Sequence, residues 1–315
     1  MKAAILEHYG APEEFAIREL PTPEIKQGQI LIRNRASSVN PVDTLVRQGK
    51  TMLVTGLLGE HLIGSDFSGI VIATKSNRFN IGDAVFGLNS AIRGGSYAEI
   101  IVADEDSACL KPINLSFTEA AALPLVSLTA WQGMVNHGKL KENDRVLILG
   151  CTGGVGTMAV QIAKSFHALI TGTCSQNHVD FARALGVHQT IVYNKQEIPK
   201  GQQFDLVFDA SGNYTISDIK DHLTETAMFV STRGGTNNLK GVVEAIIDMA
   251  LQKRMKIVME KPSPHDLNEI RRLAEAGKIK PYITRTFPLE QVSDAHRMME
   301  NGGFTGKIVI DVRDK

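Results

Sequence analysis

The feature that most constrains the fold of this chain is a glycine-rich turn between a short apolar run and a segment of helical periodicity. The run, residues 146–149, is rich in branched side chains, as a buried parallel strand is. Glycines follow at 150, 153, 154 and 156, and apolar residues then recur at helical spacing up to position 163. A strand, a glycine turn and a helix N-terminus together present backbone N–H groups to an anion. The spacing G-x-x-G-x-x-G is not the stricter G-x-G-x-x-G, so the pattern alone is also typical of a tight turn without a ligand.

This turn lies at the start of a regular alternation of apolar runs and helical segments. The apolar runs are residues 145–149, 168–173, 189–193, 204–209, 226–231 and 255–260, and the clearest helical segments are 177–185 and 241–251. The alternation predicts βαβ units and a parallel sheet covered on both faces. Six strands make a complete doubly wound sheet, in which the turn after the first strand binds a pyrophosphate. We therefore expect Gly153, Gly154 and Val155 to bind a dinucleotide.

The flanking regions have a different pattern. The first 115 residues contain short apolar runs separated by Gly, Pro, Asn and Asp, which predicts mostly antiparallel β structure. After the alternating region, Ser263 as N-cap, Pro264 in the first turn and Gly277 as the stop predict a helix. Residues 282–287 and 307–312 predict two strands around a helix near 289–300. We therefore expect an α/β protein with domains at 1–122 and 123–259, and a tail, 260–315, that returns to the first domain.

Composition limits the classes of partner. Lys plus Arg and Asp plus Glu both number 34, and no run of like charge argues for nucleic acid or an anionic membrane as partner. The longest apolar stretch, 121–135, contains Pro124 and is too short for a membrane span, and the N-terminus lacks the apolar core of a signal peptide. Cys109, Cys151 and Cys174 are far apart and form no C-x-x-C, which favours reduced thiols. We therefore expect a cytoplasmic protein with a small-molecule ligand.

The stretch SSVNPVDTLVRQG, residues 37–49, supports two interpretations. In the structural one, Asn40 is an N-cap, Pro41 opens a helix, Asp43 completes a capping box, and Asp43 pairs with Arg47 four residues later. In the functional one, the amide of Asn40 and the carboxylate of Asp43 line a cleft. Local sequence alone favours the structural interpretation.

Six motifs in order give these residues a wider context. They are NPVDTLVRQG, GSDFSGIV, GGSYAEIIVA, PLVSLTAWQGM, the glycine turn and TGKIVIDV. Together they resemble the zinc-independent quinone oxidoreductase branch of the medium-chain dehydrogenase/reductase superfamily. The resemblance spans essentially the whole chain. It implies a GroES-like, mostly β catalytic domain, an inserted Rossmann domain, NADPH as cofactor and a homodimer.

The same alignment of motifs argues against zinc. Zinc-dependent relatives carry C-x-x-D and G-H-E at these places, whereas this chain has Asn40 and Ser65 at the ligand positions. The four-cysteine lobe of those relatives is absent, and none of the nine His lies at ligand spacing from a Cys or another His. We therefore expect no zinc site.

The choice of nucleotide depends on the end of the second strand of the alternating region. NAD-specific sheets place an acid there to bind the ribose hydroxyls, whereas here the strand ends TGTCS and the first acid is Asp180. A 2′-phosphate could instead be surrounded by Ser175, Asn177, His178 and Tyr193. No Lys or Arg lies between 174 and 182, although charged donors make the stronger contacts. NADPH is favoured, and mixed use with NADH stays open.

The resemblance implies further cofactor contacts. They are Thr129 near the nicotinamide, Ser211, Ser231 and Arg233 at the carboxyl edge of the sheet, and Gly306 and Lys307 in the motif TGK. Thr129 could equally be a helix cap. Many relatives carry a Lys where this chain has Leu45, so any contact made by that Lys is missing here.

These observations predict a reductase that transfers a hydride from NADPH to quinones or α,β-unsaturated carbonyl compounds. The Asn40 amide and the cofactor's ribose hydroxyls are candidate donors to the carbonyl oxygen, with Asp43 orienting Asn40 and Arg47. One alternative is a zinc-free alcohol dehydrogenase, which ranks second because an alkoxide is hard to stabilise without a Lewis acid. Another is a non-catalytic NADPH-binding protein with a structural or regulatory role, which turnover with a quinone or enone would exclude.

Overall fold

The computed structural model describes residues 1–51, 61–90, 94–233 and 253–312. The chain divides into two compact units. The terminal unit consists of Met1–Leu125, Lys261–Gly277 and Pro281–Lys315, and the central unit consists of Val126–Glu260 and Lys278–Lys280. In this division the first segment of the terminal unit ends at Leu125. Lys278–Lys280 group with the central unit because Lys280 exchanges two backbone hydrogen bonds, of 2.9 and 3.0 Å, with the Gln161 side chain.

Strands form the sheets of both units. They are β1 (Lys2–Leu6), β2 (Phe15–Glu19), β3 (Gln29–Val39), β4 (His61–Leu62), β5 (Asp66–Thr74), β6 (Ala84–Leu88), β7 (Ile100–Asp104), β8 (Ala108–Leu110), β9 (Arg145–Leu149), β10 (Leu169–Cys174), β11 (Gln189–Val192), β12 (Phe204–Asp209), β13 (Leu223–Ser231), β14 (Met255–Ile257), β15 (Ile283–Pro288) and β16 (Lys307–Asp311).

Helices connect these strands. They are α1 (Pro41–Arg47), α2 (Phe117–Ala121), α3 (Pro124–Trp131), α4 (Gly154–Ser165), α5 (Val179–Leu185), α6 (Ile216–Ile219), α7 (Pro264–Glu275) and α8 (Val292–Asn301), with a π-helical turn at Gln132–His137 and short 3₁₀ turns at Pro12–Glu14, Glu105–Ser107, Gln176–His178, Lys220–His222 and Leu289–Gln291. Within the described ranges, none of the helices combines the length and apolarity that a membrane span needs.

The central unit contains the predicted doubly wound sheet. Its six strands are parallel and lie in the order β11-β10-β9-β12-β13-β14, so the first strand of the alternation, β9, is central. The two central strands, β9 and β12, have mostly buried apolar side chains. The sixth strand is shorter than predicted, Met255–Ile257, and the predicted helix at 241–251 lies outside the described residues. The Rossmann prediction is confirmed.

The terminal unit is mostly antiparallel β structure, as predicted. A three-stranded sheet has the order β2-β1-β4, and a larger sheet has the order β15-β16-β3-β5-β6-β8, with β7 also paired to β3. The last strand, β16, pairs with β3 and so returns the tail of the chain to the first part of the sequence.

The predicted helix of the tail is α7. Its N-cap, Ser263, accepts a hydrogen bond from the Asp266 N–H at 3.2 Å, and Pro264 occupies the first turn. Gly277, just past its end, has φ +69°, a left-handed conformation that favours glycine.

Candidate active site

Asn40 lies in a buried polar cluster of the terminal unit, at the junction of β3 and α1. Its Nδ2 donates to Asp66 Oδ2 at 2.9 Å, and its Oδ1 accepts from the ammonium of Lys307. Lys307 Nζ also lies 3.3 Å from the Val39 carbonyl oxygen and 3.4 Å from Asp66 Oδ2. These three contacts account for all three hydrogens of the ammonium. The amide of Asn40 is thereby fixed in one orientation.

Strand pairing brings the members of this cluster together. In the antiparallel pair of β16 and β3, Ile308 lies opposite Val39, which places Lys307 beside Asn40. In the pair of β3 and β5, Ser38 lies opposite Asp66, and its hydroxyl donates to that carboxylate. The cluster therefore depends on the register of three strands that are distant in sequence.

Asp66 is the member that the sequence did not single out. It has no exposed surface, and besides Asn40, Ser38 and Lys307 it accepts from the Leu125 N–H at 2.8 Å. A buried carboxylate needs such partners because its desolvation is otherwise costly. The available signal was an acid at the start of the apolar strand DFSGIVIAT.

Asp43 lies in the first turn of α1, next to this cluster, and is 1% exposed. Its carboxylate accepts from the Asn40 N–H at 2.8 Å, the Ser65 hydroxyl at 3.1 Å and the Tyr97 hydroxyl at 3.3 Å. Burial, together with the charge of Asp66, raises the pKa of Asp43 from 3.8 to about 7. This buried carboxyl therefore binds a proton at a higher pH than an exposed aspartate does.

The structure contains the capping box predicted at the start of α1, in which the Asn40 side chain faces the backbone N–H of Asp43 and the Asp43 carboxylate accepts from the Asn40 N–H at 2.8 Å. The Asn40 amide is also engaged by Asp66 and Lys307. One local expectation for α1 is wrong: Arg47 does not pair with Asp43. Its guanidinium points to Glu300 and to the Gly10 carbonyl oxygen instead.

The cluster extends through Tyr97 to a buried histidine. The His296 Nε2 lies 3.2 Å from the Tyr97 oxygen, and both residues have no exposed surface. Burial, with a smaller contribution from the charge of Arg47, lowers the pKa of His296 to about 3. The imidazole is therefore neutral at physiological pH. Burial likewise lowers the pKa of Lys307, and the nearby carboxylates of Asp66 and Asp43 oppose that shift.

The predicted contacts of Asn40 with substrate, and of Lys307 and Gly306 with cofactor, are not visible in this geometry and stay predictions. Asn40 and Lys307 are 0% and 4% exposed, and their polar atoms serve the cluster. Gly306 has a packing requirement of its own, since its φ is +71° and a Cβ there would lie 2.1 Å from the Tyr282 carbonyl oxygen.

The residues of the cluster do not fit a zinc ion. Across residues 1–51, 61–90, 94–233 and 253–312, no three His, Cys, Asp or Glu side chains converge as ligands of a metal would. Asp43 and Asp66 are accompanied by an amide, hydroxyls and an ammonium rather than by soft or imidazole ligands.

The glycine turn of the central unit fits a phosphate. Gly150 has φ +79°, and its N–H donates to the Thr173 hydroxyl at 2.9 Å. Gly153 is the N-cap of α4, which begins with Gly154 and Val155 and has no acid in its first turn. Among the described residues, a Cβ on Gly153 would meet only the Gly150 carbonyl oxygen, at 3.8 Å, so these residues leave space beside the helix N-terminus.

Gly156 has a different role in the same turn. A Cβ there would lie 2.1 Å from the Gly150 carbonyl oxygen and 2.8 Å from the backbone of Cys151. Close packing of the turn on the helix therefore requires this glycine, whereas the described residues leave room for a Cβ at Gly153.

The structure brings the four predicted 2′-phosphate residues to neighbouring strand ends. Ser175 follows β10, and Asn177 and His178 lie in the 3₁₀ turn after it. Tyr193 follows β11, and its N–H donates to the Cys174 carbonyl oxygen at 3.3 Å, which joins the two strand ends. The Tyr193 side chain is 57% exposed and accessible to a ligand.

At the ends of β12 and β13, Asp209 organises the predicted serines. Its carboxylate accepts from the Ser211 hydroxyl at 2.7 Å and the Ser231 hydroxyl at 2.9 Å. The Arg233 N–H donates to the Ser231 hydroxyl at 3.1 Å. Sequence reasoning missed Asp209, whose signal was an acid at the end of an apolar strand. Thr129 is 3% exposed and lies inside α3, so it is not a helix cap.

Comparisons with known proteins agree with this arrangement. The alcohol dehydrogenase GroES-like domain family matches residues 26–113, and the zinc-binding dehydrogenase family matches residues 185–310. The chain is 30% identical to a mitochondrial NAD(P)H oxidoreductase of Homo sapiens, over 99% of this chain and 89% of that protein. It is 31% identical to a chloroplastic NADPH-dependent alkenal/one oxidoreductase of Arabidopsis thaliana, over 98% and 79% respectively.

A solved structure extends the likeness to the whole fold. The quinone oxidoreductase of Coxiella burnetii superposes with a TM-score of 0.87 at 33% identity, and the match covers 99% of each chain. With the central parallel sheet, the open glycine turn and a cluster that does not fit zinc, these likenesses identify the chain. It is an oxidoreductase that belongs to the zinc-independent quinone oxidoreductase branch of the medium-chain dehydrogenase/reductase superfamily.

Proposed function

We propose that this chain is an NADPH-dependent reductase of quinones or α,β-unsaturated carbonyl compounds. The observation that carries the proposal is the space that the described residues leave beside Gly153, at a helix N-terminus with no side-chain cap and no acid in its first turn. Relatives named for quinones, alkenals and enones, and for NADPH, support the substrate class and the cofactor.

The described residues suit NADPH in several places. The backbone of Gly153, Gly154 and Val155 would hold the pyrophosphate, because N–H groups at a helix start favour an anion. The 2′-phosphate would be held by Ser175, Asn177, His178 and Tyr193, and further contacts would come from Thr129, Ser211, Ser231, Arg233, Gly306 and Lys307. When bound, NADPH supplies the hydride, and the protein supplies binding, orientation and electrostatics.

We propose that the Asn40 amide donates to the substrate carbonyl oxygen and that Asp43 positions Asn40. Both side chains are buried, and the Asn40 amide is held at its nitrogen by Asp66 and at its oxygen by Lys307. The Asn40 Nδ2 carries two hydrogens. It donates one to Asp66, and it could donate the second to a substrate carbonyl oxygen. Its direction is set by the cluster. Water then protonates the reduced product.

The test is a panel of quinones, enones, allyl alcohols and saturated aldehydes, assayed with NADPH and with NADH. We expect NADPH oxidation with quinones or enones and no comparable turnover with saturated aldehydes. Oxidation of saturated alcohols with NADP⁺ would favour the zinc-free alcohol dehydrogenase. Tight NADPH binding without turnover on any compound would favour a non-catalytic nucleotide-binding protein.

We also propose a cytoplasmic homodimer. Support for the location is that Cys109, Cys151 and Cys174 are free and buried, although some relatives are named mitochondrial or chloroplastic. The homodimer rests on the family resemblance. Light scattering of the purified protein measures the oligomeric state, and fractionation of cells that express it measures the location.

A further inference from the structure

The proposed 2′-phosphate site has a deficit of positive charge in its local sequence. A phosphate monoester carries about −1.5 to −2 charges at neutral pH. Residues 174–182, which contain three of the four predicted donors, include no Lys and no Arg. Neutral hydroxyl and amide donors make weaker contacts with an anion than charged donors do.

The tertiary structure brings a cation to this place from the next strand. β10 and β11 are parallel neighbours in which Cys174 lies opposite Val192, so the loops after them leave the sheet side by side. The loop after β11 turns back on itself, since the Lys195 N–H donates to the Val192 carbonyl oxygen at 2.9 Å. The Lys195 Nζ then donates to the Gln176 Oε1 at 3.3 Å.

The ammonium of Lys195 thus contacts the side chain of Gln176, the first residue of the 3₁₀ turn that contains Asn177. Lys195 and Gln176 are both exposed, and an exposed hydrogen bond to a neutral amide is weak. The nearby acid of helix α5, Asp180, is exposed and lies 3.9 Å from Arg183, its own ion-pair partner. Lys195 can therefore exchange Gln176 for a stronger, doubly charged acceptor.

We propose that Lys195 binds the 2′-phosphate of NADPH and sets the preference of this enzyme for NADPH over NADH. The inference rests on the proposed use of NADPH. The Ser175 hydroxyl and the Tyr193 side chain supply neutral contacts from the same two strand ends, and Lys195 supplies the charge that they lack. Lys195 is distant from residues 174–182 in sequence, and only the parallel pairing of β10 and β11 brings it to them.

The experiment measures dissociation constants by fluorescence titration for NADPH and NADH, and by competition for adenosine 2′,5′-bisphosphate and AMP. The variants are Lys195→Gln, which removes the charge, and Lys195→Arg, which keeps it. Lys141→Gln is the matched control, because Lys141 is an exposed lysine that precedes β9 and so lies at the opposite, amino edge of the sheet.

We expect Lys195→Gln to weaken binding of NADPH and of adenosine 2′,5′-bisphosphate about tenfold, as loss of a charge-assisted contact does. Binding of NADH and AMP should change less than about twofold, because neither has a 2′-phosphate. Lys195→Arg and Lys141→Gln should keep the wild-type preference. Added salt should weaken NADPH binding more in the wild type than in Lys195→Gln.

Two results would overturn the role of Lys195. One is a Lys195→Gln variant that keeps its full preference for NADPH, and the other is an equal loss for NADPH and NADH. Either would leave the proposed function standing, because the wild type would still bind NADPH. A wild-type protein that bound neither nucleotide would overturn both proposals.

Discussion

The side-chain amide nitrogen of Asn40 donates to Asp66 Oδ2 at 2.9 Å, and neither residue has any exposed surface. Lys307, 267 residues away in sequence, donates to the oxygen of the same amide. Asn40 occupies the N-cap position of a capping box, and its side chain also binds a carboxylate and an ammonium. Substitutions that keep the capping function therefore test this cluster.

Asn40→Ser should lower the free energy of unfolding by about 2–4 kcal/mol, because a hydroxyl is too short to reach both Asp66 and Lys307, and two buried charges lose a partner. Urea denaturation measures the change. The matched control is Ser263→Asn at the start of α7, where the side chain only caps, and the change should stay within about 0.5 kcal/mol. Equal effects of the two substitutions would show that Asn40 acts only as a cap.

Asp43→Asn should remove a pH dependence of stability. The pKa of Asp43 is about 7 in the folded protein and about 3.9 in an unfolded chain, so the folded state holds the extra proton between these values. The unfolding free energy therefore falls as pH rises through this window, by up to about 1.4 kcal/mol per pH unit. Urea denaturation at a pH of about 5 and a pH of about 7, both within this window, measures the change. Between the two, the wild type should lose stability relative to Asp43→Asn. A difference that did not vary with pH would contradict the raised pKa.

His296→Gln should remove a pH dependence of stability that has the opposite sign. The pKa of His296 is about 3 in the folded protein and about 6.5 in an unfolded chain, so here the unfolded state holds the extra proton. This contribution to stability is present above the unfolded value and is lost as pH falls. Between about pH 4 and 6.5 it opposes that of Asp43. Relative to His296→Gln, the wild type should lose stability on acidification; a gain would contradict a neutral, buried imidazole.

Gly153→Val and Gly156→Ala should separate binding from folding. The side chain at 153 would enter open space that the pyrophosphate needs, so NADPH binding should weaken by more than about tenfold with little change in melting temperature. The Cβ at 156 would lie 2.1 Å from the Gly150 carbonyl oxygen, so that variant should melt at a lower temperature. Normal NADPH binding by Gly153→Val would mean that the turn is only a connector.

Exhaustive chelation should leave turnover with a quinone or enone unchanged, since the donors around Asn40 do not suit zinc. Activity before and after dialysis against a strong chelator is the measurement, with elemental analysis of the same sample. Loss of activity that zinc alone restores would contradict this interpretation of the cluster.

The sequence by itself determined the elements whose signals are local. The glycine turn before α4, the six parallel strands and the Ser263 cap all follow from periodicity and backbone preferences within a few residues. The order of motifs also indicated the family, because motifs are compared along the sequence without knowledge of which residues are in contact.

Only the tertiary structure decided which polar groups meet. The sequence around Asn40 predicts a cap, and the sequence around Lys307 predicts a cofactor ligand. The pairing of β3 with β5 and β16 brings both side chains to Asp66. The pairing of β10 with β11 likewise brings Lys195 to Gln176. Periodicity determines which face of a strand is buried, but strand partners and register are set by packing over the whole domain. The hydrogen-bond partners of a buried charge are therefore set by that packing and not by its neighbours in sequence.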